Sequence, residues 1–169
     1  MSYDPTAFKI SFDPRERVMR GVAIHGDTPF EVPFATQIAH NLWQGGCEGG
    51  LVLPDQIKHL VSLYPWEQYQ VRHELESSVT VRMYDSAGGA HWPQIQALGG
   101  WVNVCRKTGP VLVHCQAGLN RSSLVVAAAL VAGGDVANGA EAIELIRTQR
   151  SPACLCNESF ERMVKENLA

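Results

Sequence analysis

The chain has 169 residues, 46% of them hydrophobic and 18% charged, with a formal net charge of −3. That much apolar material builds one real core without disulfide or metal staples, and the mild acidity excludes the broad basic field that draws a protein onto nucleic acid or an anionic membrane. The longest apolar run, Leu124–Ala132, is about half of a membrane span. The first thirty residues lack the basic start and apolar stretch of a signal peptide. Five cysteines with no export signal read as reduced thiols, so a cytoplasmic setting without membrane or nucleic-acid partners is expected.

The first 35 residues are the least readable and are expected to form an N-terminal extension packed on a domain spanning 36–169. Within that extension, Arg15–Ile24 suits an edge strand, and Phe30–Phe34 is a short extended piece interrupted by proline. Gln37–Gln44 alternates as a strand does, and Gly45-Gly46 ends it. Pro54 suits the first turn of a helix through Leu63, with Ile57, Leu60 and Val61 on one face and Pro65 as its stop. Val79–Tyr84 reads as a strand, and Asp85-Ser-Ala-Gly-Gly as a loop.

Ile95, Leu98, Val102 and Cys105 then fall at helical spacing, ending near Lys107 and Gly109. Val111–His114 is a wholly apolar run that suits a buried central strand. Three helices follow: 121–132, apolar all round and therefore buried; 138–149; and 157–168. Strands alternating with helices predict an α/β fold, a three-layer sandwich around a largely parallel sheet.

The chemistry concentrates in VLVHCQAGLNRSS, residues 111–123. A Cys with an Arg six positions on is a weak signal alone, but its surroundings agree with it. A buried strand brings Cys115 to the carboxyl edge of the sheet, where α/β proteins bind ligands. Gly118 allows a tight turn and a close backbone approach, a helix begins at Arg121, and Ser122 adds a hydroxyl. Loop N–H groups from Gln116, Ala117, Gly118, Leu119 and Asn120 can then converge on an anion at a helix N-terminus, and Arg121 adds a planar fork matched to two phosphate oxygens. That field is also the setting in which a cysteine becomes a nucleophile.

This loop resembles the His-Cys-x5-Arg-Ser/Thr signature of the protein tyrosine phosphatase superfamily, and Gln37–Leu168 resembles its compact dual-specificity branch. The resemblance implies a phosphocysteine intermediate on Cys115 with no metal or other cofactor, and a phosphorylated protein as substrate. It implies that His114 holds the loop and that Ser122 assists the departing thiolate. It also implies a general acid about thirty residues upstream. Asp85 lies at that distance, on a loop that Gly88 and Gly89 can let close; Asp27, Asp55 and His91 are poorer candidates. Arg147, Arg150, Asn157 and Phe160 match the family pattern that buttresses the loop and packs the last helix. Trp92 follows the acid loop and is a candidate to flank an aromatic phosphoester.

Three other readings share these features. An RNA 5′-triphosphatase-like enzyme shares Gly-x-Asn-Arg, but Gln116-Ala117 and Ser123 depart from that pattern. A phosphopeptide-binding pseudophosphatase would not need the nucleophile, and a rhodanese-like sulfurtransferase would not need Asp85. Cys154 and Cys156 lack companion metal ligands and read, like Cys47 and Cys105, as structural thiols. The short chain leads to the expectation of a shallow cleft that accepts phosphotyrosine, phosphoserine and phosphothreonine alike.

Overall fold

The computed structural model describes residues 13–169. The expected N-terminal extension lies partly outside this range, in residues 1–12. Its described part folds into an antiparallel hairpin, β1 (Val18–Val22) and β2 (Pro29–Pro33), which is a separate two-stranded sheet.

The main sheet has five strands in the order β3-β4-β7-β5-β6. They are β3 (Ala35–Ala39), β4 (Leu42–Gly45), β5 (His59–Ser62), β6 (Ser77–Thr80) and β7 (Val111–His114). Only β3 and β4 pair antiparallel; every other pairing is parallel. Four helices complete the fold: α1 (Trp92–Cys105), α2 (Arg121–Gly133), α3 (Gly139–Gln149) and α4 (Glu158–Asn167). The α/β sandwich on a largely parallel sheet is as expected from the sequence.

Strand alternation sorts the two faces of the sheet. Val61, Val111 and Val113 turn toward the helices and join the main core. Leu60 and Leu112 turn the other way, against Leu51, Leu53, Ile57 and Tyr69. α2 is the central helix: it contacts α1, α3, α4, β4 and β7, so an apolar surface on all sides serves it. α3 and α4 are capped by Asn138 and Asn157, whose side chains accept from Glu141 N and Ser159 N.

Three elements differ from the sequence reading. The segment predicted as a helix from Pro54 to Leu63 instead turns through Ile57 and forms β5, buried on both faces between β7 and β6. A strand with no exposed face carries no period-two signal, and its apolar residues mimic a helical stripe. The single strand predicted over Gln37–Gln44 is a tight hairpin, β3 to β4, turning at His40-Asn41 with Asn41 at φ 53°. The strand predicted over Val79–Tyr84 begins at Ser77 and ends at Thr80, although Val81 N still donates to Ser62 O at 2.8 Å.

Candidate active site

β7 ends at His114 and α2 begins at Arg121, so residues 115–120 form the turn between the central strand and the buried helix. Gly118 has φ +69°, and a Cβ there would collide with the Gly45 backbone and the Arg150 guanidinium. The loop closes this tightly only with glycine at that position.

The carbonyls of this loop are held from outside. Cys47 N donates to Gln116 O (2.9 Å), and Leu155 N donates to Leu119 O (2.9 Å). Arg150 spreads its fork over the middle of the loop, with Nε to Gly118 O at 2.7 Å and Nη2 to Ala117 O at 3.2 Å. The buried Gln44 adds Nε2 to Gly118 O at 3.0 Å. With the carbonyls drawn outward, the N–H groups of residues 116–120 have no acceptor among the described residues. They are available to a ligand, in the arrangement of an anion nest at a helix N-terminus.

Arg121 completes this arrangement. Its guanidinium is almost entirely buried, only 6% of the residue being exposed. It donates from Nη1 to Met83 O at 3.2 Å and lies 5.0 Å from the centre of the Tyr64 ring, while its buried Nε has no partner. No carboxylate pairs with it among the described residues. A buried cation without a counter-ion costs several kcal/mol, so the site is organised around an anion that it does not itself supply.

Cys115 is 2% exposed and lines the same cleft, with Sγ 3.5 Å from Ser122 Oγ. His114 lies beneath the loop with Nδ1 3.2 Å from Cys115 O and its ring edge-on to Tyr69 at 5.1 Å. Burial pushes the His114 pKa down to about 4, which keeps the ring neutral at ordinary pH. Burial likewise pushes Cys47 up to about 12 and Cys154 up to about 11, leaving both as protonated structural thiols.

Asp85 also lines the cleft, and its carboxylate is held on both oxygens. Asn157 Nδ2 donates to Oδ1 at 2.9 Å and Asn120 Nδ2 to Oδ2 at 3.0 Å. Asn120 Oδ1 in turn accepts from Asn157 N at 3.1 Å. The two asparagines thus connect the Asp85 loop to the cysteine loop and to the start of α4.

The site residues read from the sequence are therefore brought together: Asp85, Cys115, Gln116, Ala117, Leu119, Asn120 and Arg121 all line one cleft of about 740 Å³. Arg147 supports it indirectly, donating to Cys154 O and Leu155 O, and Phe160 packs in the core. Trp92 does not fulfil the role considered for it. It opens α1 and packs partly buried against the core, because its Pro93 neighbour starts a helix rather than extending the acid loop.

The aromatic side chains in the cleft are Tyr64, Trp66 and Tyr84, together with Phe30. The hairpin further supplies Met19, Val22, Ala23 and Ile24. Sequence reasoning missed all of these. Val22 and Ile24 lie in the part with the weakest pattern, and Tyr64 and Trp66 flank the segment misread as a helix.

Comparison with known proteins agrees with this geometry. Residues 56–167 match the family described as "Dual specificity phosphatase, catalytic domain". The chain belongs to the dual-specificity phosphatase family. Among solved structures, human DUSP28 superposes with a TM-score of 0.64 at 17% identity, covering 79% of this chain and 94% of that one. A mouse putative dual specificity phosphatase complexed with zinc tungstate gives 0.64 at 18% identity, covering 79% and 87%. PTPMT1 in complex with PI(5)P gives 0.57 at 19%, covering 79% and 96%. At such identities the likeness is one of fold, and no curated protein matches the chain. Among the described residues, no helix is long and apolar enough to cross a membrane.

Proposed function

We propose that this phosphatase hydrolyses phosphoprotein monoesters, phosphotyrosine as well as phosphoserine and phosphothreonine, through a phosphocysteine on Cys115. The observation that carries this reading is the buried Arg121 with no counter-ion beside a loop of unpaired N–H groups, at the foot of which lies the cysteine.

In the first step the Cys115 sulfur attacks phosphorus, an S–P bond forms, and the ester P–O bond breaks opposite it. Asp85 gives its proton to the leaving oxygen. In the second step Asp85 takes a proton from a water that attacks phosphorus; the S–P bond breaks, and inorganic phosphate leaves. Ser122, 3.5 Å from the sulfur, stabilises the departing thiolate. Arg121 and the N–H groups of residues 116–120 hold the equatorial oxygens throughout. His114, neutral and enclosed, supports the loop from below.

Among the described residues, Arg121 is the one cationic side chain lining the cleft. That supports a singly phosphorylated ester over a polyphosphate end or a phosphoinositide, whose several phosphates call for several cations. We assign the phosphatase domain to 36–169 and read 1–35 as an extension packed on it. The Arg150 Nη1 bond to Pro33 O at 2.9 Å and the Arg17–Glu48 ion pair at 3.0 Å support that packing. Five free thiols support a reducing, cytoplasmic setting.

The test is phosphate release from a phosphotyrosine peptide. Wild type should turn over, and Cys115→Ser should not. Asp85→Asn should lose about 10²-fold or more in kcat while still binding the peptide.

A further inference from the structure

The N-terminal hairpin lies outside the residues that match the phosphatase family, and its two edges differ. Phe34 N donates to Arg17 O at 3.1 Å at one end of the ladder, and Ala23 N to Thr28 O at 2.9 Å at the other. Bonded and non-bonded pairs alternate along an antiparallel ladder. With Val18 opposite Pro33 and Val22 opposite Pro29, the bonded residues of β1 are therefore Met19 and Gly21. The main-chain groups of Val18, Arg20 and Val22 turn outward.

On β2 the outward residues are Pro29, Glu31 and Pro33. Two of these three are proline and offer no N–H, and Pro33 O is already taken by Arg150 Nη1 at 2.9 Å. That edge is closed to a further strand. The edge of β1 is open. Among the described residues no hydrogen bond reaches the main chain of Val18, Arg20 or Val22, and the strand carries Val18 and Val22 at 44% and 62% exposure. β1 also lines a groove of about 350 Å³ through Val18, Met19 and Arg20, with Glu48 and Glu67 among the other lining residues. Met19 and Gln116 line both this groove and the active-site cleft, so the two adjoin beside the cysteine loop.

We propose that the free edge of β1 receives the main chain of the phosphoprotein substrate, on one side of its phosphorylated residue, as an added strand. The proposal rests on the phosphoprotein reading of the cleft. Outward N–H and C=O groups at every second residue are complementary to one chemistry, an extended polypeptide backbone. Pairing of this kind gains affinity from main-chain hydrogen bonds and so asks little of the substrate's sequence. The groove beside β1 gives the added strand a place that leads directly from the phosphate site.

The experiment uses phosphotyrosine peptides of one sequence, each N-methylated at a single flanking residue, with phenyl phosphate as the substrate that has no backbone. With wild type, kcat/KM should fall about tenfold at every second position on one side of the phosphotyrosine, and far less at the positions between. Arg20→Pro removes the central outward N–H and spares the bonds between β1 and β2, as Pro29 and Pro33 do across the ladder. It should lower kcat/KM for the unmethylated peptide, relative to phenyl phosphate, by about fivefold. Arg20→Ala keeps that N–H and should lose less than about twofold. Melting temperatures accompany both variants, and the peptide series on wild type decides the matter even where the proline variant does not fold. A uniform response along the peptide, or equal losses in the two folded variants, would overturn the added strand and leave the phosphatase reading intact. A dimer in sedimentation that Arg20→Pro dissociates would assign the edge to a second copy of the chain, and would overturn it too. Hydrolysis of phenyl phosphate without hydrolysis of any peptide would overturn both the added strand and the phosphoprotein reading.

Discussion

His25 Nε2 donates to the main-chain oxygen of Asp85 at 2.8 Å and lies 3.3 Å from its Oδ1. One side chain of the N-terminal hairpin thus reaches the loop of the proposed acid, Asp85. With Asn120 and Asn157 on the two carboxylate oxygens, it fixes Asp85 from a third direction. A general acid acts only where its proton meets the leaving oxygen.

Removing that tether should therefore lower kcat more than it raises KM. His25→Ala is expected to cost about fivefold in kcat, the worth of one ordinary hydrogen bond. His25→Gln keeps an N–H donor and should recover most of the loss. Steady-state kinetics of the three proteins, with melting temperatures alongside, checks this. An equal loss in Gln and Ala would show that the contact with Asp85 does not matter.

Arg150 holds the loop on the side away from the ligand. Its fork reaches Gly118 O, Ala117 O, Pro33 O and Thr36 Oγ1. Burial lowers its pKa, opposed by the nearby cysteines. Arg150→Met leaves several buried oxygens without donors and should destabilise the protein by about 3 kcal/mol in urea unfolding. Arg150→Lys keeps charge but not the fork and should fall between the two. In both variants the loop loses its outward pull, so affinity for a phosphate mimic such as vanadate should also fall. Unchanged stability in Arg150→Met would contradict this account of the loop.

His114 gives the fold a pH limit. Its pKa in the native protein is pushed down to about 4 by burial, from the ordinary 6.5. Because the folded value is the lower one, the unfolded chain takes up the proton first as pH falls. The contribution of the neutral ring is full above pH 6.5 and is lost progressively between 6.5 and about 4. The loss reaches roughly 3 kcal/mol across that window. Urea unfolding of wild type and His114→Asn across the window tests this: stability should decline less steeply with acid in the variant. Parallel declines would show that the histidine is not the group responsible.

The cysteine loop was readable because its signals are local. A short apolar strand, a glycine at the one position with left-handed φ in the loop and an arginine at a helix start all lie within thirteen residues. Asp85 followed from the family resemblance, which implies an acid about thirty residues upstream, and the structure places Asp85 in the same cleft. What the sequence hid was non-local. β5 owes its strand form to its pairing with β6 and β7, and its apolar residues fit a helix equally well until those partners are known. Ile24 and Trp66 carry no sequence signal for a shared site, because only the folded chain brings the hairpin and the segment after β5 to one cleft. Gln44, tied to the cysteine loop, and His25, tied to Asp85, carry no motif of their own.

The central claim is that Cys115 carries the phosphoryl group between the two steps. Rapid quenching of wild type with a phosphotyrosine peptide, followed by mass measurement of the fragment containing Cys115, tests it most directly. The account predicts one added phosphoryl group on Cys115, which disappears as phosphate is released and never forms in Cys115→Ser. Sustained turnover by Cys115→Ser, or a phosphoryl group on a different residue, would contradict it.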